Sequence, residues 1–182
     1  MDLDDEERRR RNGIIRTWLQ ELETDLPGET AHSEHVAVYA LAIASELETQ
    51  VDLLPIRYAA ELHDIGKIRA RWPAKDHPVV GSDLMAAHAF LADSRGMVRH
   101  HHEWWNGCGY PDGLAGTAIP IGARMIAVAE AFDAMTLPWG WRERLPEQEA
   151  LDELLNQAGR QFDPMVVRAF LKVQPIIQPI GL

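Results

Sequence analysis

The sequence is short of cysteine, of basic residues and of long apolar runs, and each shortage removes a class of explanation. Its single cysteine, Cys108, excludes an internal disulfide and a cysteine-only metal site, and suits a reducing compartment, so a cytoplasmic location is expected. Lys and Arg number 18 against 28 Asp and Glu, a formal net charge of -10. Such a surface has no general attraction for nucleic-acid phosphates, so a long DNA or RNA partner is disfavoured, whereas a small anion held through metal ions is not. No apolar run approaches the roughly 18 residues that suggest a membrane span. The amino terminus lacks a signal-peptide pattern as well: Asp2, Asp4, Asp5, Glu6 and Glu7 precede Arg8 to Arg11, and no continuous apolar segment follows. The pairs Asp4/Arg8, Asp5/Arg9, Glu6/Arg10 and Glu7/Arg11 are instead spaced for a solvated helix.

Sustained alternation of apolar and polar residues is missing too, which leaves helical periodicity as the dominant pattern. With 182 residues, the chain is expected to form one all-α domain, a compact multi-helix bundle. A first helix over about 3–24 places Ile14, Ile15, Trp18, Leu19 and Leu22 on one face, which packs on the core or on a second subunit as a homodimer contact. It belongs to an N-terminal helical segment, 1–28. A second helix over about 29–48 aligns His32 with Val36, Tyr39, Ile43 and Leu47, so His32 faces inward. The third is expected to run from Asp52 to Gly66 and deliver His63 and Asp64 at its end. Asp76-His77-Pro78 reads as a helix start with Asp76 as cap. A short helix over 94–102 leads into residues 103–120, whose glycines and prolines predict a structured loop. Helices over 121–136, 146–159 and 164–173 complete the core, and 176–182 form a tail.

The chemistry concentrates in a few side chains. His63-Asp64 joins an imidazole to a carboxylate able to bridge two cations, although a capped helix end is the alternative. His101-His102-Glu103 is more informative, because adjacent buried imidazoles need something to satisfy their nitrogens. Glu130 and Asp133 lie among Ile126, Val128 and Phe132, where carboxylates need a partner and a dication would supply one.

Taken in order, His32-Ser33-Glu34, His63-Asp64-Ile65-Gly66-Lys67, His77-Pro78, His101-His102-Glu103, Gly107-Cys108-Gly109-Tyr110-Pro111-Asp112-Gly113-Leu114 and Gln161-Phe162-Asp163-Pro164 resemble the HD-GYP branch of the HD phosphohydrolases. The resemblance covers about residues 30–172 and implies a catalytic domain over 29–175. It further implies hydrolysis of cyclic di-GMP to pGpG, and onward to GMP, at two divalent ions, iron or manganese with zinc as the alternative. The ligands it implies are His32, His63, Asp64, His77, His101, His102 and Glu130, with Asp64 bridging. Lys67 would act beside Asp64 on the scissile phosphate. Tyr110 and Arg142 would contact substrate, with Gly109, Tyr110 and Pro111 forming the signature loop.

This chain departs from the family pattern in four places. Position 130 is Glu where Asp is usual, and the stretch from Lys67 to His77 is short. Trp139 stands where an Arg is expected. A Glu four residues before the first histidine accompanies a third metal in some members, but Gly28 occupies that place and Glu29 follows it, so two metals are favoured over three. Trp104, Trp105, Trp139 and Trp141 are candidates to stack on bases or to pack internally. Two other functions stay open: an HD-type hydrolase of another small nucleotide or phosphate ester, and a weakly active or inactive HD-GYP module that binds a sensor or a GGDEF-type cyclase.

Overall fold

The computed structural model describes residues 4–48, 52–69, 75–137 and 144–177. Helical periodicity is realised in α1 (Asp5–Asp25), α2 (Glu29–Glu46), α3 (Leu53–Glu61), α4 (His77–Met85), α5 (Ala92–Arg99), α6 (Ile121–Thr136), α7 (Glu147–Asn156) and α8 (Pro164–Val173). Among the described residues no strand forms, and two isolated bridges, Asn106 with Ala115 and Ala158 with Phe162, tie loops together. No described helix is long and apolar enough to cross a membrane.

Side-chain caps set three of the helix starts. Asp4 accepts a hydrogen bond from Glu7 N at 2.7 Å and caps α1, Asp52 caps α3 through Leu54 N, and Asp163 caps α8 through Met165 N with Pro164 in the first turn. Each satisfies an amide that has no partner within its helix. Capping draws Asp4 away from Arg8, which turns to Asp5 at 3.9 Å instead. Of the four expected pairs at spacing four, Glu7–Arg11 forms, at 2.8 Å. Asp76 occupies the cap position of α4 but makes no capping hydrogen bond, because its backbone is already in the right-handed helical region and not the extended one that aims a cap side chain at the first turn.

Helix α2 runs through the middle of the molecule against α3, α6 and α8. Tyr39, Phe132 and Phe170 join α2, α6 and α8, with ring centroids 5.5, 5.4 and 4.9 Å apart. Such aromatic pairs are worth about 0.5–1.5 kcal/mol each beyond their buried area. Helix α1 lies on α2 and on the turn at 65–68, burying Ile15 and Leu22.

The third helix stops earlier than its periodicity suggests. It ends at Glu61, and His63 and Asp64 occupy a non-helical turn that leads into a 3-10 segment, Ile65–Ile68. Gly66 does not end a helix; it allows a close approach. A Cβ there would collide with the His77 carbonyl oxygen and lie 2.6 Å from Gly81 N, so only glycine lets the start of α4 seat directly on the His63-Asp64 turn.

Candidate metal centre

Four chain segments converge on one buried cluster. Helix α2 contributes Glu29 and His32, the turn after α3 contributes His63, Asp64 and Lys67, α4 starts with His77, and the turn after α5 carries His101 and His102. Ligand-capable atoms of His32, His63 and Asp64 lie within 4.8 Å of one another, and those of His77, His101 and His102 do the same. Asp64 spans the two groups: Oδ2 is 3.2 Å from His63 Nε2 and Oδ1 is 3.1 Å from His77 Nε2. Glu130 reaches the rim, with Oε1 3.9 Å from His102 Nε2.

The ring nitrogens are oriented from behind. His63 Nδ1 donates to Ala60 O at 2.8 Å, His101 Nδ1 to Val98 O at 2.6 Å, and His32 Nδ1 to Asp133 Oδ2 at 2.6 Å. Carbonyl and carboxylate oxygens only accept, so each Nδ1 carries a proton and each Nε2 is the nitrogen turned to the cluster. His63 Nε2 and both oxygens of Asp64 are sealed from solvent without a hydrogen bond of acceptable geometry. Unsatisfied buried atoms of this kind are costly unless a cation takes them up. Imidazole and carboxylate donors in two groups sharing one carboxylate fit a pair of divalent ions.

Electrostatics divides that donor set, keeping His101 and His102 neutral while His63 competes for a proton. Burial pushes His101 well below the ordinary imidazole range, and the neighbouring His102, His63 and His77 add to the effect. Burial also lowers His102. Both are therefore neutral near pH 7, the form that binds metal. Burial opposes charge on His63, but Asp64, and Glu130 beyond it, prevail and raise it to about 9. Asp64 sits well below the carboxylate range, because His63 and Lys67 outweigh the cost of burial. Lys67 is held charged against burial by Asp64 at 2.6 Å and Glu29 at 2.9 Å.

The glycine-rich loop is anchored beside this cluster. Buried Glu103 accepts from Asp112 N at 2.7 Å and Leu114 N at 3.1 Å. Arg99 grips both oxygens of Asp112 at 2.8 Å, and His100 Nε2 adds a contact at 2.9 Å. His100, Glu103 and Asp112 form a third potential ligand group, but a guanidinium and backbone amides already occupy its carboxylates, which makes it a loop anchor. At Gly109 a Cβ would strike Trp104 N, so the strand of loop carrying Tyr110 and Pro111 can lie flat on the His102–Trp104 backbone. The Tyr110 ring then stacks on His102, centroids 4.9 Å apart at 30°.

Of the residues singled out in sequence, His32, His63, Asp64, Lys67, His77, His101, His102, Tyr110 and Glu130 come together, while Trp139, Trp141 and Arg142 lie outside the described residues. Trp104 stands 37% exposed at a cavity of about 150 Å³ that also touches His102, Glu130 and Gln161. Trp105 packs under the Arg124 guanidinium at 5.7 Å, and Cys108 is exposed. Two participants, Glu29 and His35, were given no role in the sequence reading. Glu29 is buried with Oε2 unsatisfied; lying three residues before His32, it shares that helix face as well as a residue four away would, a signal available from spacing alone. His35 has a partner across the fold, Asp133, that no local pattern announces.

Comparison with known proteins places this geometry in context. A family model described as "HD domain" matches residues 69–166. The cyclic di-GMP phosphodiesterase response regulator RpfG of Xanthomonas campestris is 33% identical over 171 residues, covering 84% of this chain and 45% of the relative. The 3'3'-cGAMP-specific phosphodiesterase 2 of Vibrio cholerae is 28% identical, covering 78% of this chain and 31% of the relative. The chain thus spans less than half the length of these curated relatives. A solved cyclic GMP-AMP specific phosphodiesterase of Vibrio cholerae shares the fold, with a TM-score of 0.68 at 19% identity over 88% of this chain and 47% of that one.

Proposed function

The chain belongs to the HD-domain family, and on that premise we propose that it is a metal-dependent phosphodiesterase that opens cyclic di-GMP to pGpG and carries some of it on to GMP. The observation that carries this reading is the placement of buried Asp64 between two ligand groups, with His63 Nε2 sealed beside it and without a hydrogen bond. In it, His32, His63 and Asp64 would hold one divalent ion and His77, His101 and His102 the second, with Asp64 between the two groups and Glu130 at the rim. Bound dications of the iron or manganese type would supply an activated water and offset negative charge on the phosphoryl oxygens.

The chain's own residues do the rest. Lys67, fixed by Asp64 and Glu29, presents a positive charge to the phosphodiester, where developing charge is stabilised most by preorganised donors. The reaction forms one oxygen–phosphorus bond from water and breaks the bond to the 3'-oxygen, which takes a proton and leaves the phosphate on the 5' side. Tyr110, held flat on His102, bounds the substrate opening.

A mixed cyclic GMP-AMP dinucleotide is the second candidate substrate, favoured by the relative from Vibrio cholerae with that specificity. Anaerobic reconstitution with Fe(II) and separately with Mn(II), followed by chromatography of products from both dinucleotides, tests the reading. Conversion of cyclic di-GMP to pGpG, lost in Asp64→Asn, is the expected result. Turnover of the mixed dinucleotide alone would transfer the assignment to it, and metal-loaded protein that turns over neither would reject the enzyme in favour of a binding module.

A further inference from the structure

The buried imidazoles whose Nδ1 partners are known differ in what stands behind them. His63 and His101 lean on backbone carbonyls of their own turns, Ala60 O and Val98 O, which the local chain holds rigidly. His32 leans on a side chain from another helix, Asp133 of α6, 101 positions away. A carboxylate on a rotatable bond orients an imidazole only if it is itself held, and its other oxygen accepts from His35 Nδ1 at 3.0 Å. His32 and His35 lie three apart on α2, hence on the same face, and that face meets α6 where Asp133 is 3% exposed. The arrangement is a clamp: one carboxylate, two Nδ1–H donors, and α2 seated on α6.

We propose that Asp133 and His35 are positioning residues that fix the ring orientation and tautomer of His32 and thereby tune the cation site it shares with His63 and Asp64. The proposal rests on the metal-dependent reading above. Asp133 touches neither reacting atoms nor the cluster's Nε2 lone pairs; it acts through His32. A carboxylate behind a metal-binding imidazole fixes its tautomer and raises its basicity, and loss of such a partner typically weakens metal binding by about 10–100-fold. The effect is expected at one of two ions, because the two oxygens of Asp133 are taken by His32 and His35.

Titration of metal-free protein with Mn(II), read by calorimetry and by the EPR signal of free ion, tests this in the whole chain. Wild type is expected to bind two equivalents. Asp133→Asn should weaken one by about 10–100-fold and leave the other, and His63→Gln should weaken the same one. His35→Leu should weaken it several-fold, whereas His35→Asn, whose amide can replace the Nδ1–H donor, should restore it. The His35 pair keeps the test intact where Asp133→Asn fails to fold. Two tight equivalents in both Asp133→Asn and His35→Leu would overturn the proposal alone, as would equal weakening of both ions in His35→Leu and His35→Asn with matching losses in Tm. Wild type that takes up no Mn(II) would overturn the metal-dependent reading itself.

Discussion

His77 and His101 point their Nε2 atoms at each other across 3.2 Å in the buried interior. On His101 the Nδ1 proton is committed to Val98 O, so its Nε2 is a lone pair. Two imidazole nitrogens at this separation are satisfied by a shared proton or by a cation, and His102 and Asp64 close by suit a cation.

Metal removal should destabilise the protein. A ligand bound only by the folded state adds RT ln(1 + [L]/Kd), about 2.7 kcal/mol at one hundred times Kd for a single site. Thermal unfolding before and after chelation, then with Mn(II) restored, checks this; a Tm indifferent to chelation would remove the centre from consideration.

The metal-free protein should lose stability as pH rises from near neutrality. His63 is raised to about 9 in the fold, above its unfolded value of about 6.5. Its contribution is therefore fully present below about 6.5 and is lost as pH climbs through about 9. Cations compete with the same proton, so metal affinity should strengthen over that interval. Tm and Mn(II) affinity against pH, in wild type and His63→Gln, measure both, and the variant should flatten each curve.

Asp64→Asn should abolish turnover by more than the roughly 10–100-fold that loss of an outer partner removes, because it takes away the shared carboxylate. The metal-free fold should lose stability, since His63 and Lys67 lose their carboxylate partner, although Lys67 keeps Glu29 at 2.9 Å. Metal stoichiometry and Tm distinguish these effects: full loading with full activity contradicts the bridging role.

Glu103→Ala should loosen the signature loop. It strands the amides of Asp112 and Leu114, at a cost of about 1–3 kcal/mol for buried groups left without partners. Urea unfolding gives the magnitude, and hydrogen exchange over 103–115 locates it. An unchanged exchange pattern would show that the Arg99–Asp112 contact suffices to hold the loop.

Trp104→Ala should raise KM with little change in kcat if its half-exposed ring beside His102 and Glu130 contacts a base. Base–aromatic stacking is worth about 1–3 kcal/mol, or roughly tenfold or more in KM where KM reports binding. Equal KM values would assign the ring to packing.

Helix positions and the principal histidines were legible before the fold was known, because they depend on neighbours in sequence. Periodicity placed α2 and α6, and Asp52 and Pro164 marked helix starts; His63-Asp64 and His101-His102 each bring two donors together along a few residues of chain. Legibility failed where a local signal met a tertiary demand. The third helix stops at Glu61, short of Gly66, because the His63-Asp64 turn must bend under α4. Asp76 holds a cap position without capping.

What the sequence by itself determined is an all-helical chain carrying a metal-suited set of imidazoles and carboxylates, since helix formation and donor type are properties of short segments. Only the tertiary structure decided that Asp64 stands between two ligand groups, that Glu29 turns inward to Lys67, and that Asp133 on α6 serves both His32 and His35 on α2. Those relations join residues up to 101 positions apart. Their distances are set by how helices pack, which no run of neighbouring residues encodes.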